Sequence, residues 1–325
     1  YEPELITNAH LNGVKVLISI GGASAGGAVF STMTGNSTAR ANFVNNVYDF
    51  CSANAYDGAD IDWEYPSSTT DRTNLTLLMK DLREKFDAMP APAPSWELAM
   101  AVIGSNWRGQ YVDYNSLNQY MDYYTVMTYD MYGSWSEEAG HHAPLYGSPS
   151  CKTYMDYMIN TRGIPTEKVI MGVPFYGYIF PNAENAGDPN TSGATQVRYR
   201  DIYNSYLSNP DWVYYWDGAA NVPHIRKESG AGYLCYDNPQ SIADKVYYAL
   251  VNRNAGGVFM WELSQDNMSG NQPLLDAMYD AMSFICHDVT PTPTIDPNAT
   301  PTPPDLSEKI TITETVNYPN PYNPY

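Results

Sequence analysis

Basic residues are scarce in this chain: 17 Lys plus Arg stand against 36 Asp plus Glu among 325 residues, a formal charge of -19. So acidic a surface repels phosphate backbones, and nucleic acid is not an expected partner. Long apolar runs are missing too, which leaves nothing to cross a membrane as a helix. The four cysteines (Cys51, Cys151, Cys235, Cys286) are widely spaced, allow three pairings and contain no CxxC metal signature. Histidines number five, and His141 and His142 form no metal set with the acids near them. They read as part of a solvated loop, so no metal and no cofactor is expected. Abundance lies elsewhere: 29 Tyr and 7 Trp offer flat rings for stacking on sugars, although Tyr is equally a core and strand residue.

The stretch around which the chain is organised runs Asp57-Gly58-Ala59-Asp60-Ile61-Asp62-Trp63-Glu64-Tyr65-Pro66. Read as a strand over residues 58–64, it puts Asp60, Asp62 and Glu64 on one face and Ala59, Ile61 and Trp63 on the other. Three acids in a row on a water-facing strand repel one another for no gain. Facing into a barrel, repulsion and burial raise at least one pKa until a carboxyl keeps its proton near neutral pH, which is how a general acid is made. A calcium loop is a poor alternative, because glycine at the sixth place and glutamate at the twelfth are absent. An acidic edge strand is another, but Ile61 and Trp63 give the second face something to bury.

Around this stretch strands and helices alternate. Strands are expected at residues 14–20, 58–64, 98–103, 121–129, 169–175 and 257–263, with helices at 38–53, from about 71, 152–161, 239–252 and 273–284. Residues 178–238 break the rhythm and read as an inserted subdomain. The alternation implies a parallel sheet of the (β/α)8 TIM-barrel kind, whose strand ends gather one site. Six strands are two short of closure, and the residues before Val14 look like the end of a helix, so the first two strands are expected upstream of Tyr1. The domain reading is a partial barrel over 1–286, a Pro/Thr-rich linker over 287–306 and the start of a truncated β domain over 307–325.

This pattern resembles the glycoside hydrolase family 18 chitinases from Val14 to Phe284. Asp57 to Glu64 is similar to the family's DxxDxDxE signature, and Ser19-Ile20-Gly21-Gly22 to its SxGG. Met127-Thr128-Tyr129-Asp130 and Met260-Trp261-Glu262 resemble its sixth- and eighth-strand signatures, and Tyr233 to Asp237 part of its α+β insertion between strands 7 and 8. The tail Tyr318-Pro319-Asn320-Pro321-Tyr322-Asn323-Pro324 resembles the opening of a type IX secretion sorting domain, or else is an ordinary Pro/Asn turn.

The resemblance implies a bacterial enzyme acting outside the cell or at its surface, as a monomer on chitin or N-acetylglucosamine oligomers. It implies retaining, substrate-assisted hydrolysis in which the N-acetyl oxygen of the sugar is the nucleophile. Glu64 is then the proton donor. Asp62, about 6.6 Å back along the strand, accepts from the acetamido N–H, and Asp60 helps set its protonation. Tyr129 donates to the acetamido carbonyl. Gly21, Gly22, Tyr65, Met100, Met127, Asp130, Tyr176 and Trp261 are expected to bind or wall the substrate, against a reading of Met100 and Trp261 as plain core. Asp57 is expected to support the strand start. One departure is Ala23, where many members have an aromatic directly after the glycines. Two other functions share the scaffold: an endo-β-N-acetylglucosaminidase on glycans or peptidoglycan, which the large insertion disfavours, and a chitin-binding lectin, which would lack Glu64.

Overall fold

The computed structural model describes residues 3–88 and 95–287, with the side chains of 286 and 287 left aside. The expected linker and C-terminal β segment, and the tail motif, lie outside the described residues.

Helix α1 (Pro3–Leu11) leads into β1 (Ile18–Gly21), followed by α2 (Gly27–Thr34), α3 (Ser37–Asn54), β2 (Gly58–Asp62) and α4 (Thr69–Asp87). Local chemistry sets these boundaries. Asn36 accepts from the Ala39 N–H to start α3, and Ala55 in the left-handed region ends it. Ser68 caps α4 by accepting from the Asp71 N–H, and Leu75, Leu78, Met79, Leu82 and Phe86 recur every three or four residues as its buried stripe. Then come β3 (Glu97–Val102), β4 (Tyr123–Val126) and β5 (Val169–Pro174).

After β5 the chain enters an antiparallel sheet of β6 (Tyr176–Phe180), β7 (Thr195–Arg198), β8 (Trp212–Asp217), β9 (Val222–Lys227) and β10 (Tyr233–Cys235), in the order β7-β6-β10-β9-β8. The insertion therefore begins two residues before the expected Tyr178. Helix Pro239–Tyr247, strand β11 (Gly257–Trp261) and helix Pro273–His287 restore the alternation. The main sheet runs β1-β2-β3-β4-β5-β11, and each of these pairs is parallel. It is the TIM-barrel type of α/β sheet, with six of the eight strands that closure takes.

Several strands are shorter than the pattern suggested, for lack of partners. β1 begins at Ile18 because its pairing with β2 begins at Ala59. β2 stops at Asp62, since β3 pairs it only to Ile61 and β1 only to Gly21. Glu64 therefore lies just beyond the strand. β4 ends at Val126, where Thr128 N–H turns back to the Val126 carbonyl.

Register divides every strand between two faces. Ala59 and Ile61 share the outer face with Ile18, Ile20, Leu98, Met100 and Tyr124, and these pack into the main core beneath the helices. The same core takes the back of the insertion sheet through Trp212, Tyr214, Ile225 and Leu234. Below the sheet, Asp57 accepts from the Val16 N–H at 2.7 Å and bonds His10 at 2.8 Å, the supporting role expected of it.

One ion pair is wholly buried. Lys245 Nζ reaches both oxygens of Asp237 at 2.6 Å, and Ser241 donates to the same carboxylate at 2.6 Å. The pair ties the exit of the insertion to the helix Pro239–Tyr247. Removing one partner of such a pair strands the other charge. Lys245→Met is expected to cost about 3–5 kcal/mol of stability, read from denaturant midpoints, with much of the loss recovered in Lys245→Met/Asp237→Leu.

Candidate active site

The inner face of the sheet carries the acids. Asp60 lies in register with Ser19 and Ala99, and Asp62 with Gly21, while Ala101, Thr125 and Gly172 continue the same face on β3, β4 and β5. Small neighbours leave room above the carboxylates. Gly21 is required by contact: a Cβ there would lie 2.0 Å from the Asp62 carbonyl oxygen, and its φ of 129° disfavours other residues. The next N–H, of Gly22, donates to that same oxygen at 2.8 Å. The two glycines thus fix Asp62.

Asp60 accepts from the Ser19 hydroxyl at 2.7 Å, and burial raises its pKa against that bond. Burial, with like charge from Glu64 and Asp60, pushes Asp62 up to about 7. The Oδ1 atoms of both aspartates are buried without a protein partner. Of the row, Asp60 and Asp62 are the carboxyls that burial raises, Asp62 the one that reaches about 7.

Past β2 the chain is pinned by α2. Trp63 is buried, stacks on Phe30 with centroids 5.3 Å apart, and donates its indole N–H to the Gly27 carbonyl at 3.1 Å. A Cβ on Gly27 would meet Tyr65 backbone at 2.9 Å. Glu64 is therefore presented at the mouth, where its charge, after burial, raises the Tyr65 phenol. The Tyr65 ring meets Trp107 edge-on at 5.6 Å.

Beyond β4, Tyr129 is buried against Tyr176 and Phe259, and Gly172 makes its seat, since a Cβ there would sit 2.7 Å from the ring. Burial, then Asp130, Asp62, Glu64 and Tyr65 in that order, raises its phenol well above the usual range. Four residues from two strand ends, those of β2 and β4, thus bear on one hydroxyl. Asp130, at φ 60°, accepts from Tyr176 at 2.7 Å and Tyr178 at 3.2 Å. Met127 packs half-buried against this group. Trp261 ends β11 on the inner face, two residues past Phe259, and is 49% exposed.

Some expectations are corrected. Met100 is 2% exposed on the outer face beside Ile61, so it is core and no part of the cleft wall. Tyr176 is 1% exposed and reaches the site through its hydroxyl, not as a wall. His141 and His142 are buried, not solvated: His141 bonds Asp217 at 3.0 Å and Tyr233 at 3.1 Å, and His142 bonds the Tyr176 carbonyl at 3.1 Å. The insertion folds over them. The sequence reading missed Tyr178, which alternation from Tyr176 could have found, and the exposed Trp107 and Trp135, one in a four-residue helix (Asn106–Gly109) and one in a loop, both too short to carry a periodic signal. Trp135 stands edge-on to Tyr178 at 5.8 Å.

The family profile Glycosyl hydrolases family 18 matches residues 4–266. The chain belongs to that family. Among family relatives, it is 33% identical to Probable chitinase 2 of Drosophila melanogaster over 82% of this chain and 59% of that protein. It is 29% identical to Chitinase A1 of Niallia circulans over 83% of this chain and 43% of that protein. The chain thus spans about half the length of these curated relatives. The crystal structure of Ostrinia furnacalis Group IV chitinase in complex with allosamidin superposes with a TM-score of 0.78 at 28% identity, covering 87% of this chain and 82% of that one.

Asp62 offers a pH test. Its ordinary value is 3.8 and its folded value about 7, so between those limits the folded chain holds a proton that the unfolded chain gives up. The stability tied to that proton is complete at acid pH and lost as pH rises through about 7. Asp62→Asn is therefore expected to raise Tm over the parent more at pH 8 than at pH 5. An equal gain at both, by circular dichroism melting, would refute the shift.

Proposed function

We propose that this chain is the catalytic part of a secreted chitinase that hydrolyses β-1,4-linked N-acetylglucosamine polymers with retention, without a cofactor, as a monomer. The observation that carries this reading is the meeting of Asp62, Glu64, Tyr65, Tyr129 and Asp130 at the ends of β2 and β4. The chitinase names of its relatives support the substrate class, as does a structural neighbour solved with GlcNAc4, at 26% identity and a TM-score of 0.78. On this reading residues 1–286 are the catalytic barrel with its insertion, 287–306 a linker and 307–325 the start of a further β domain. Location outside a bacterial cell accords with the Thr/Pro linker and with the absence, among the described residues, of any helix long and apolar enough to cross a membrane.

The chemistry follows from the placement. Glu64 delivers its proton to the glycosidic oxygen as the bond to the anomeric carbon breaks. The acetamido oxygen of the same sugar, steadied by the Tyr129 hydroxyl, attacks that carbon and forms an oxazolinium ion. Asp62 accepts from the amide N–H, and its charge offsets the cation as it develops. Asp60, two residues back on the same face, adds its charge to the forces that raise Asp62 and so bears on when Asp62 turns anionic. Water, deprotonated by Glu64, then opens the ring ion and leaves the anomer unchanged. Trp261 supplies an apolar floor, Tyr65 and Met127 line the sugar, and Asp130 offers a carboxylate oxygen to it. Glu64 being present weighs against a lectin.

Glu64→Gln keeps the shape and removes the acid. It is expected to lower kcat on N-acetylglucosamine oligomers by about a thousandfold or more while calorimetric binding changes little. Unchanged turnover would remove Glu64 from its role, and products released as the opposite anomer would overturn the substrate-assisted route.

A further inference from the structure

His142 stands directly behind Asp130, on the loop between β4 and β5. Its ring lies 5.0 Å from that of Tyr176 and 5.4 Å from that of Tyr178, the two phenols that hold Asp130 Oδ1. Its Nε2 sits 3.1 Å from the Tyr176 carbonyl, which can only accept, so the proton of the neutral ring is on Nε2. Nδ1 is then a bare lone pair, buried with no partner and 4.0 Å from Asp130 Oδ1. A lone pair facing a carboxylate oxygen beyond bonding distance gives that oxygen no reason to turn inward.

We propose that His142 is a positioning residue for Asp130, holding Tyr176 and Tyr178 so that they fasten Oδ1 and leave Oδ2 for a sugar hydroxyl in the cleft. The inference rests on the hydrolase reading above. Every neighbour of the imidazole bears on its charge. Burial in the first place, then Lys245 and His141, lower its pKa to about 3, against the bond to Tyr176; the Cys235 thiol lies against its backbone, and Asp130 is the carboxylate that faces it. The ring is neutral across the working range of pH. Below about pH 3 a protonated Nδ1 would draw Asp130 back and away from substrate.

His142→Phe preserves the ring and removes both nitrogens. It is expected to lower kcat/KM on the N-acetylglucosamine tetramer by about tenfold, mostly through KM, as neighbours acting through one partner do. In an Asp130→Ala background the same substitution should change kcat/KM less than twofold. Equal losses in both backgrounds would mean a merely structural histidine and would overturn the proposal. Absence of turnover in the unsubstituted protein would instead overturn the hydrolase reading, and the proposal with it. Should His142→Phe fail to fold, 15N shifts of His142 in the unsubstituted protein decide: Nε2–H is expected, and a proton on Nδ1 at pH 7 would refute the arrangement.

Discussion

The closeness with which β1 passes Asp62 governs the rest of the site. At Gly21 no side chain fits between the two backbones, and the following N–H closes a hydrogen bond to the Asp62 carbonyl. That contact sets the rotation of β2, and with it which face Asp60 and Asp62 occupy. The inner neighbours are small, so the aspartates lose water without gaining cations. Leaving buried carboxylates in that state costs stability, and the fold tolerates it because the outer face of the same strands is apolar and packed.

A second scaffold supplies the other half. Asp130 leaves β4 in a left-handed conformation, but its carboxylate is held by Tyr176 and Tyr178, the start of the insertion. His141 joins the intervening loop to β10 through Tyr233 and to the far edge strand β8 through Asp217. The barrel therefore holds the acids assigned to chemistry in the proposed reaction, and the insertion holds Asp130, the group assigned there to the sugar. Since both sheets share one apolar core, displacement of either would be felt in the other.

Much of this was legible in advance, and the failures have a common cause. Alternation within β2 was sufficient for Asp60 and Asp62, because a strand needs no partner to define its own two faces. Met100 was misread because the face it takes depends on register with Ile61, which no single strand contains. His141 and His142 look like polar loop residues until the insertion closes over them. Burial from a distant segment leaves no local trace. Strand ends were overestimated for a similar reason, since a strand lasts only while its neighbours do, and the neighbours of β2 stop before Glu64.

The place of the proton bears on how such a site would work. A ladder of three acids was expected to leave a protonated group, and the raised values fall on Asp60 and Asp62, deeper than the residue that meets the glycosidic oxygen. In the proposed reaction this depth is useful. The oxazolinium needs a negative charge beside its nitrogen only while it exists, and a fully ionised pair would be costly before and after. A carboxyl that burial and like charge hold near neutrality turns anionic beside a cation and takes a proton back once the cation is gone. On the proposed route the inner pair answers the charge of the sugar while Glu64, outside the strand, is the group that exchanges protons with leaving group and water.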